Sequence, residues 1–98
     1  MIYVVATLRM HPGKLAALTE AAKKMIAETL KEKGCVSYDL HQSVTDPDKL
    51  VFVERWETRE HLAAHFQTPH MAAWRAEGGP MIAERKVEII EPANVEVR

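Results

Sequence analysis

The stretch Val51-Phe52-Val53-Glu54-Arg55-Trp56-Glu57-Thr58-Arg59-Glu60-His61-Leu62-Ala63-Ala64-His65-Phe66-Gln67-Thr68-Pro69-His70-Met71 decides how the rest of the chain is read. Its first part alternates. Leu50, Phe52, Glu54 and Trp56 fall on one face, and Val51, Val53, Arg55 and Glu57 on the other, which is the period of a strand over 50–57. Thr58 can then cap a short helix over 59–66. Thr68 followed by Pro69 is a cap with proline at the first helical position, and restarts a second helix over 69–77. A strand that runs into two short helices brings a carboxylate, an indole and three imidazoles close together. Imidazole titrates nearest neutrality, so proton chemistry on a small organic molecule is expected here.

Working outward, residues 2–10 are apolar and β-branched on both faces, as in a covered first strand, and His11-Pro12-Gly13 is a turn. Leu15, Leu18, Ala22, Met25, Ile26 and Leu30 recur at helical steps and predict a helix over 13–33, with Gly34 as its C′ stop. Glu20 with Lys24, and Glu28 with Lys31, can pair on its wet side. Residues 36–43 read as a second strand, with Val36, Tyr38 and Leu40 sharing a face; Thr45-Asp46-Pro47-Asp48 is a turn. Gly78-Gly79-Pro80 ends the last helix. Residues 86–90 form a fourth strand that Val95 to Val97 can extend. The order βαββααβ is the ferredoxin-like α+β pattern, a four-stranded antiparallel sheet with helices on one face, in one domain spanning 1–98. The other face is expected to expose Ile2, Val4, Val51 and Val53, an apolar patch that a second copy would cover, so a homodimer through the sheet face is predicted.

The 98 residues carry 13 basic and 14 acidic side chains, a net charge of −1, with no clustered basic excess of the kind nucleic acid requires. No apolar run is long enough for a membrane span. The opening residues read as a strand and not as a signal peptide. The lone Cys35 cannot form an internal disulfide, which fits a reducing cytoplasm.

Glu54 lies mid-strand between Phe52 and Trp56 on the helix side. A carboxylate there must be paired, or be pushed toward its neutral form. It can pin a histidine or a backbone N–H, or act as an acid or base itself. His65 is either a satisfied core histidine or a neutral imidazole in an apolar cleft, oriented by Glu54 and able to act as a general base. His61 and His65 have the i, i+4 spacing of half a metal site, but no third ligand is fixed by spacing, so no metal is expected. His70 sits in the first turn of its helix, where its role is expected to be local. Tyr38, Phe52, Trp56 and Trp74 suit a core, and also suit stacking on a planar substrate. Arg75 can stabilise an anion. Cys35 has no strong activating neighbour and is not a nucleophile candidate.

Three segments carry a resemblance: Val5-Ala6-Thr7-Leu8-Arg9 leading to Pro12-Gly13-Lys14; Lys31-Glu32-Lys33-Gly34-Cys35 through Tyr38; and Glu54-Arg55-Trp56-Glu57 with His61-Leu62, Ala64-His65 and Gln67-Thr68-Pro69-His70-Met71. The chain resembles the antibiotic biosynthesis monooxygenase superfamily, nearest to its bacterial quinol monooxygenases. The resemblance implies a dimeric α+β barrel and oxidation of a quinol or related phenol by O₂, with neither flavin nor metal as cofactor. It implies His65 as the polar pocket group supported by Glu54, Tyr38 and Trp56 as walls, and Trp74 with Arg75 as the far wall. Ala6-Thr7 on the first strand and Trp74-Arg75 on the late helix depart from haem-degrading relatives, and the turn at 45–49 is shorter than in quinol-type ones. Two other functions stay open: a non-catalytic dimer that binds a small molecule, and a proton-shuttling isomerase of a small sugar phosphate.

Overall fold

The computed structural model describes residues 1–98. The elements are β1 (Ile2–Met10), α1 (Leu15–Thr29), β2 (Cys35–Gln42), β3 (Lys49–Trp56), α2 (Arg59–Phe66), α3 (Pro69–Gly78), one 3₁₀ turn (Gly79–Met81) and β4 (Ile82–Ile90). The sheet is antiparallel throughout, in the order β2-β3-β1-β4. All three helices cover one face, and the molecule is a slab 19 Å thick, one helix layer on one sheet.

Alternation along the two central strands builds the core. Ile2, Val4, Ala6 and Leu8 of β1 are buried with Leu50, Phe52, Glu54 and Trp56 of β3. The register pairs Val4 with Glu54 and Ile2 with Trp56, so these residues share the helix-covered face. This corrects the expectation that Ile2 and Val4 lie on the open face. That face carries Tyr3, Val5 and Thr7 beside Val51 and Val53, all half-buried. The alternation of each strand was legible; which β1 set meets which β3 set depends on register, and one residue of slip exchanges the faces.

α1 buries Leu18, Ala21, Ala22, Met25 and Thr29, whereas Leu15 and Leu30 are exposed. It ends four residues before the predicted 33, so Gly34 is not its C′ residue. The chain turns through 30–34, and Gly34, at φ +86°, leads into β2. Its carbonyl accepts from the Glu57 N–H at 2.8 Å. A Cβ at Gly34 would collide with the His61 ring, so both backbone and space require glycine. Lys23 pairs with Glu20 at 3.6 Å in place of Lys24, which reaches Glu77 at 3.8 Å. A bulge leaves Val36 unpaired and exposed. β4 starts four residues earlier than the predicted 86, and residues 91–98 do not extend it. The 59–66 helix and the proline-started helix form as read, each capped by its threonine: Thr58 accepts from His61 N, and Thr68 from Met71 N.

Candidate active site

Between the helix-covered face of the sheet and α2–α3 lies a cavity of about 150 Å³, lined by Tyr38, Phe52, Glu54, His65, Trp74 and Arg75, among others. A larger groove, about 350 Å³ between α1 and β2, holds none of the candidate residues except Tyr38. The chemistry is therefore concentrated in the smaller cavity.

β3 delivers Glu54 to this cavity as its only buried carboxylate, 4% exposed. Trp56 Nε1 donates to Glu54 Oε1 at 2.9 Å. Burial pushes the Glu54 carboxyl up to about 7; the hydrogen bonds from Trp56 and Tyr38 oppose this rise without cancelling it. The Tyr38 phenol, buried and facing the same carboxylate, is held far above its usual range.

His65, on the last turn of α2, is 1% exposed. Its ring centroid is 4.7 Å from that of Trp56 and 5.4 Å from that of Tyr38. The predicted Glu54–His65 contact does not form. Nδ1 instead lies 2.6 Å from Glu32 Oε2, and the same oxygen is 2.8 Å from His70 Nε2. A carboxylate only accepts, so it selects the tautomer with hydrogen on His65 Nδ1. That leaves Nε2 as the one buried side-chain nitrogen or oxygen without a partner. Burial lowers the His65 pKa, with the Glu32 contact pulling the other way.

Trp56 is 0% exposed and does not line the cavity; its role as a wall gives way to backing His65 and donating to Glu54. Phe52 and Trp74 meet edge to face at 5.7 Å and do line it. Arg75 lines it while donating to the Phe66 carbonyl at 2.6 Å. Arg85 joins Arg75 on the lining; it was missed because β4 was started too late. His61 turns to Thr58 Oγ1 at 2.8 Å, so the His61–His65 spacing has no common ligand. His70 is not local but bonded across the fold to Glu32. Glu32 itself was missed as a functional residue. It sits in the charged run Glu28 to Lys33, and only the early end of α1 turns it inward.

The Glu54 carboxyl yields a test. Its folded pKa, about 7, exceeds the unfolded value of 4.5, so its favourable contribution is full below pH 4.5 and is lost as pH rises through 7. Such a difference is worth about 3 kcal/mol. Glu54→Gln, which keeps an acceptor for Trp56, should therefore gain stability relative to wild type by up to about that amount between pH 4.5 and 8, as read by urea denaturation. A constant difference across that window would refute the assignment.

Comparison with known proteins bears on this geometry. The sequence profile of the family described as "Antibiotic biosynthesis monooxygenase" matches residues 1–77. "Probable quinol monooxygenase YgiN" of Escherichia coli is 34% identical over 102 aligned positions, covering 94% of this chain and 98% of that protein. Rv0793 of Mycobacterium tuberculosis superposes with TM-score 0.89 at 31% identity, covering 98% of each chain. A Nitrosomonas europaea structure titled "Putative antibiotic biosynthesis monooxygenase" superposes with TM-score 0.90 at 29% identity, covering 96% of this chain and 100% of that one. The matched residues run from β1 to the last turn of α3, and include Glu32, Glu54, His65 and His70, so the chain belongs to the antibiotic biosynthesis monooxygenase family.

Proposed function

We propose that the chain is a cofactor-independent monooxygenase that oxidises a quinol or related phenol with O₂. The observation that carries this reading is the unpartnered Nε2 of His65, buried on an aromatic cavity while Glu32 holds Nδ1. An imidazole so fixed is a base at neutral pH. His65 Nε2 takes the phenolic proton, and the electron-rich anion passes one electron to O₂. The two radicals combine on a ring carbon, and loss of water from the hydroperoxide leaves one oxygen atom on the product. The proton on His65 returns with the departing water, so the site needs no net proton exit. Glu54, near neutrality, is the second group able to exchange a proton. Arg75 and Arg85 on the lining favour the anionic intermediate. The buried surroundings limit escape of reactive oxygen species.

A cavity of about 150 Å³ is smaller than the roughly 300–1,000 Å³ typical of drug-sized ligands, which favours a single-ring quinol over a polycyclic one. The same two arginines are what an isomerase of a sugar phosphate would need. The aromatic lining favours the ring.

A second copy completes the proposed assembly. The chain exposes 6219 Å², against about 5,700 Å² for a compact monomer of its mass. The open sheet face is apolar along its centre, at Val5, Val51 and Val53. We place the two-fold interface there, remote from His65.

Two experiments test these claims. O₂ uptake with reduced methylbenzoquinone, above the uncatalysed rate, should fall by about 10²–10⁴-fold in His65→Gln. Circular dichroism should show that the variant stays folded. Wild-type activity should persist down to the ordinary imidazole range near 6.5 and fall only below it, because the folded pKa is lowered. Uptake unchanged in His65→Gln would remove the base. Val53→Glu should convert a dimer to a monomer in light scattering; an unaltered dimer mass would move the interface elsewhere.

A further inference from the structure

Glu32, His65 and His70 come from three elements: the turn after α1, the end of α2 and the start of α3. Their donor atoms Oε2, Nδ1 and Nε2 all lie within 4.8 Å of one another. We propose that these three atoms form a site for one divalent transition-metal ion of the zinc type, and that filling it takes His65 out of service as a base. The second half rests on the reading under Proposed function; the first does not.

Two imidazoles and one carboxylate are the donor set of a borderline-soft ion, and a poor match for magnesium or calcium, which prefer oxygen alone. Three protein ligands leave a fourth position for water, as in open zinc sites. Zinc at about 2.1 Å from each donor needs tetrahedral donors roughly 3.4 Å apart. Glu32 now sits at 2.6 and 2.8 Å from the two nitrogens, so it must withdraw by less than about 1 Å from each, and the two nitrogens, within 4.8 Å of one another, must close by up to about 1.4 Å. Glu32 lies in a turn and not inside a helix, so its side chain can shift without breaking a helical ladder. Entry is available on its side: Glu32 is 13% and His70 18% exposed, while His65 is closed at 1%.

Metal on His65 Nδ1 displaces the hydrogen held there to solvent, and Nε2, bare in the metal-free ring, takes up a proton in its place, so the ring stays neutral. The nitrogen facing the cavity then carries N–H and accepts nothing. Glu32 thus has two alternative partners with opposite consequences. Hydrogen-bonded to Nδ1 it keeps Nε2 basic, and metal-bound it silences it.

Titration calorimetry of the whole chain with Zn²⁺ tests the site, using Mg²⁺ as control. Wild type should bind one zinc per chain, and Mg²⁺ should give no heat. His70→Gln and Glu32→Gln, both partly exposed positions, should each weaken zinc binding by at least about tenfold. Co²⁺ should give the visible spectrum of a tetrahedral N/O site in wild type alone. Equal zinc affinity in wild type and both variants would assign the binding to His11, His41 or His61 and overturn the site. O₂ uptake with reduced methylbenzoquinone should fall as zinc fills the wild-type site. Zinc bound with uptake unchanged or raised would overturn the switch. Zinc bound by a metal-free protein that shows no uptake would support the site and contradict the oxygenase reading, so the two failures are distinct.

Discussion

Glu32 Oε2 accepts from two imidazoles at once, and the arrangement of the site depends on that one oxygen. His65 is closed to solvent, and a buried imidazole nitrogen without a partner is costly. The carboxylate satisfies Nδ1 and, through His70, fastens the start of α3 to the end of α2. For this to happen, α1 must stop at Thr29 and the chain must turn so that Glu32 faces inward. The Lys31 and Glu32 N–H groups bond back to Glu28 and Thr29, and Cys35 N–H bonds to the Glu32 carbonyl. Gly34, in the left-handed region and pressed against His61, lets the turn enter β2.

The sheet supplies the other half. β3 alternates, so Phe52, Glu54 and Trp56 arrive on one face in a row, and the indole of Trp56 serves two neighbours. Its N–H holds the Glu54 carboxylate, and its ring backs His65. The outcome is two titratable groups on one cavity, shifted in opposite directions by the same burial. The carboxyl is raised toward neutrality, while the imidazole is lowered and so stays uncharged there, able to accept a proton. Burial disfavours the charged form of each, which explains both signs with one cause.

Much of the scaffold was legible because local rules carry it. Thr58 and the Thr68-Pro69 pair fix the starts of α2 and α3 by capping. Strict alternation fixes which residues of β3 face inward. The element order gives the α+β sheet. Register was not legible, since nothing local says whether Ile2 and Val4 lie beside Glu54 or behind it. The end of α1 was misjudged because Leu30 continues the apolar spacing, yet it lies exposed past the last turn. The site was half legible for the same reason. His65 and Glu54 stand out as polar residues in apolar settings. Glu32 is one charge among several in a wet-looking run, and its separation of 33 positions from His65 leaves no spacing to read.

The assignment of His65 as a base rests on where its proton sits. Long-range ¹H–¹⁵N correlation spectra of the imidazoles at pH 7.5 report this directly. The His65 ring is predicted to be neutral, with hydrogen on Nδ1 and Nε2 bare, and to lose that single-tautomer signature in Glu32→Gln. A wild-type ring protonated on Nε2, or carrying both protons at that pH, would contradict the assignment.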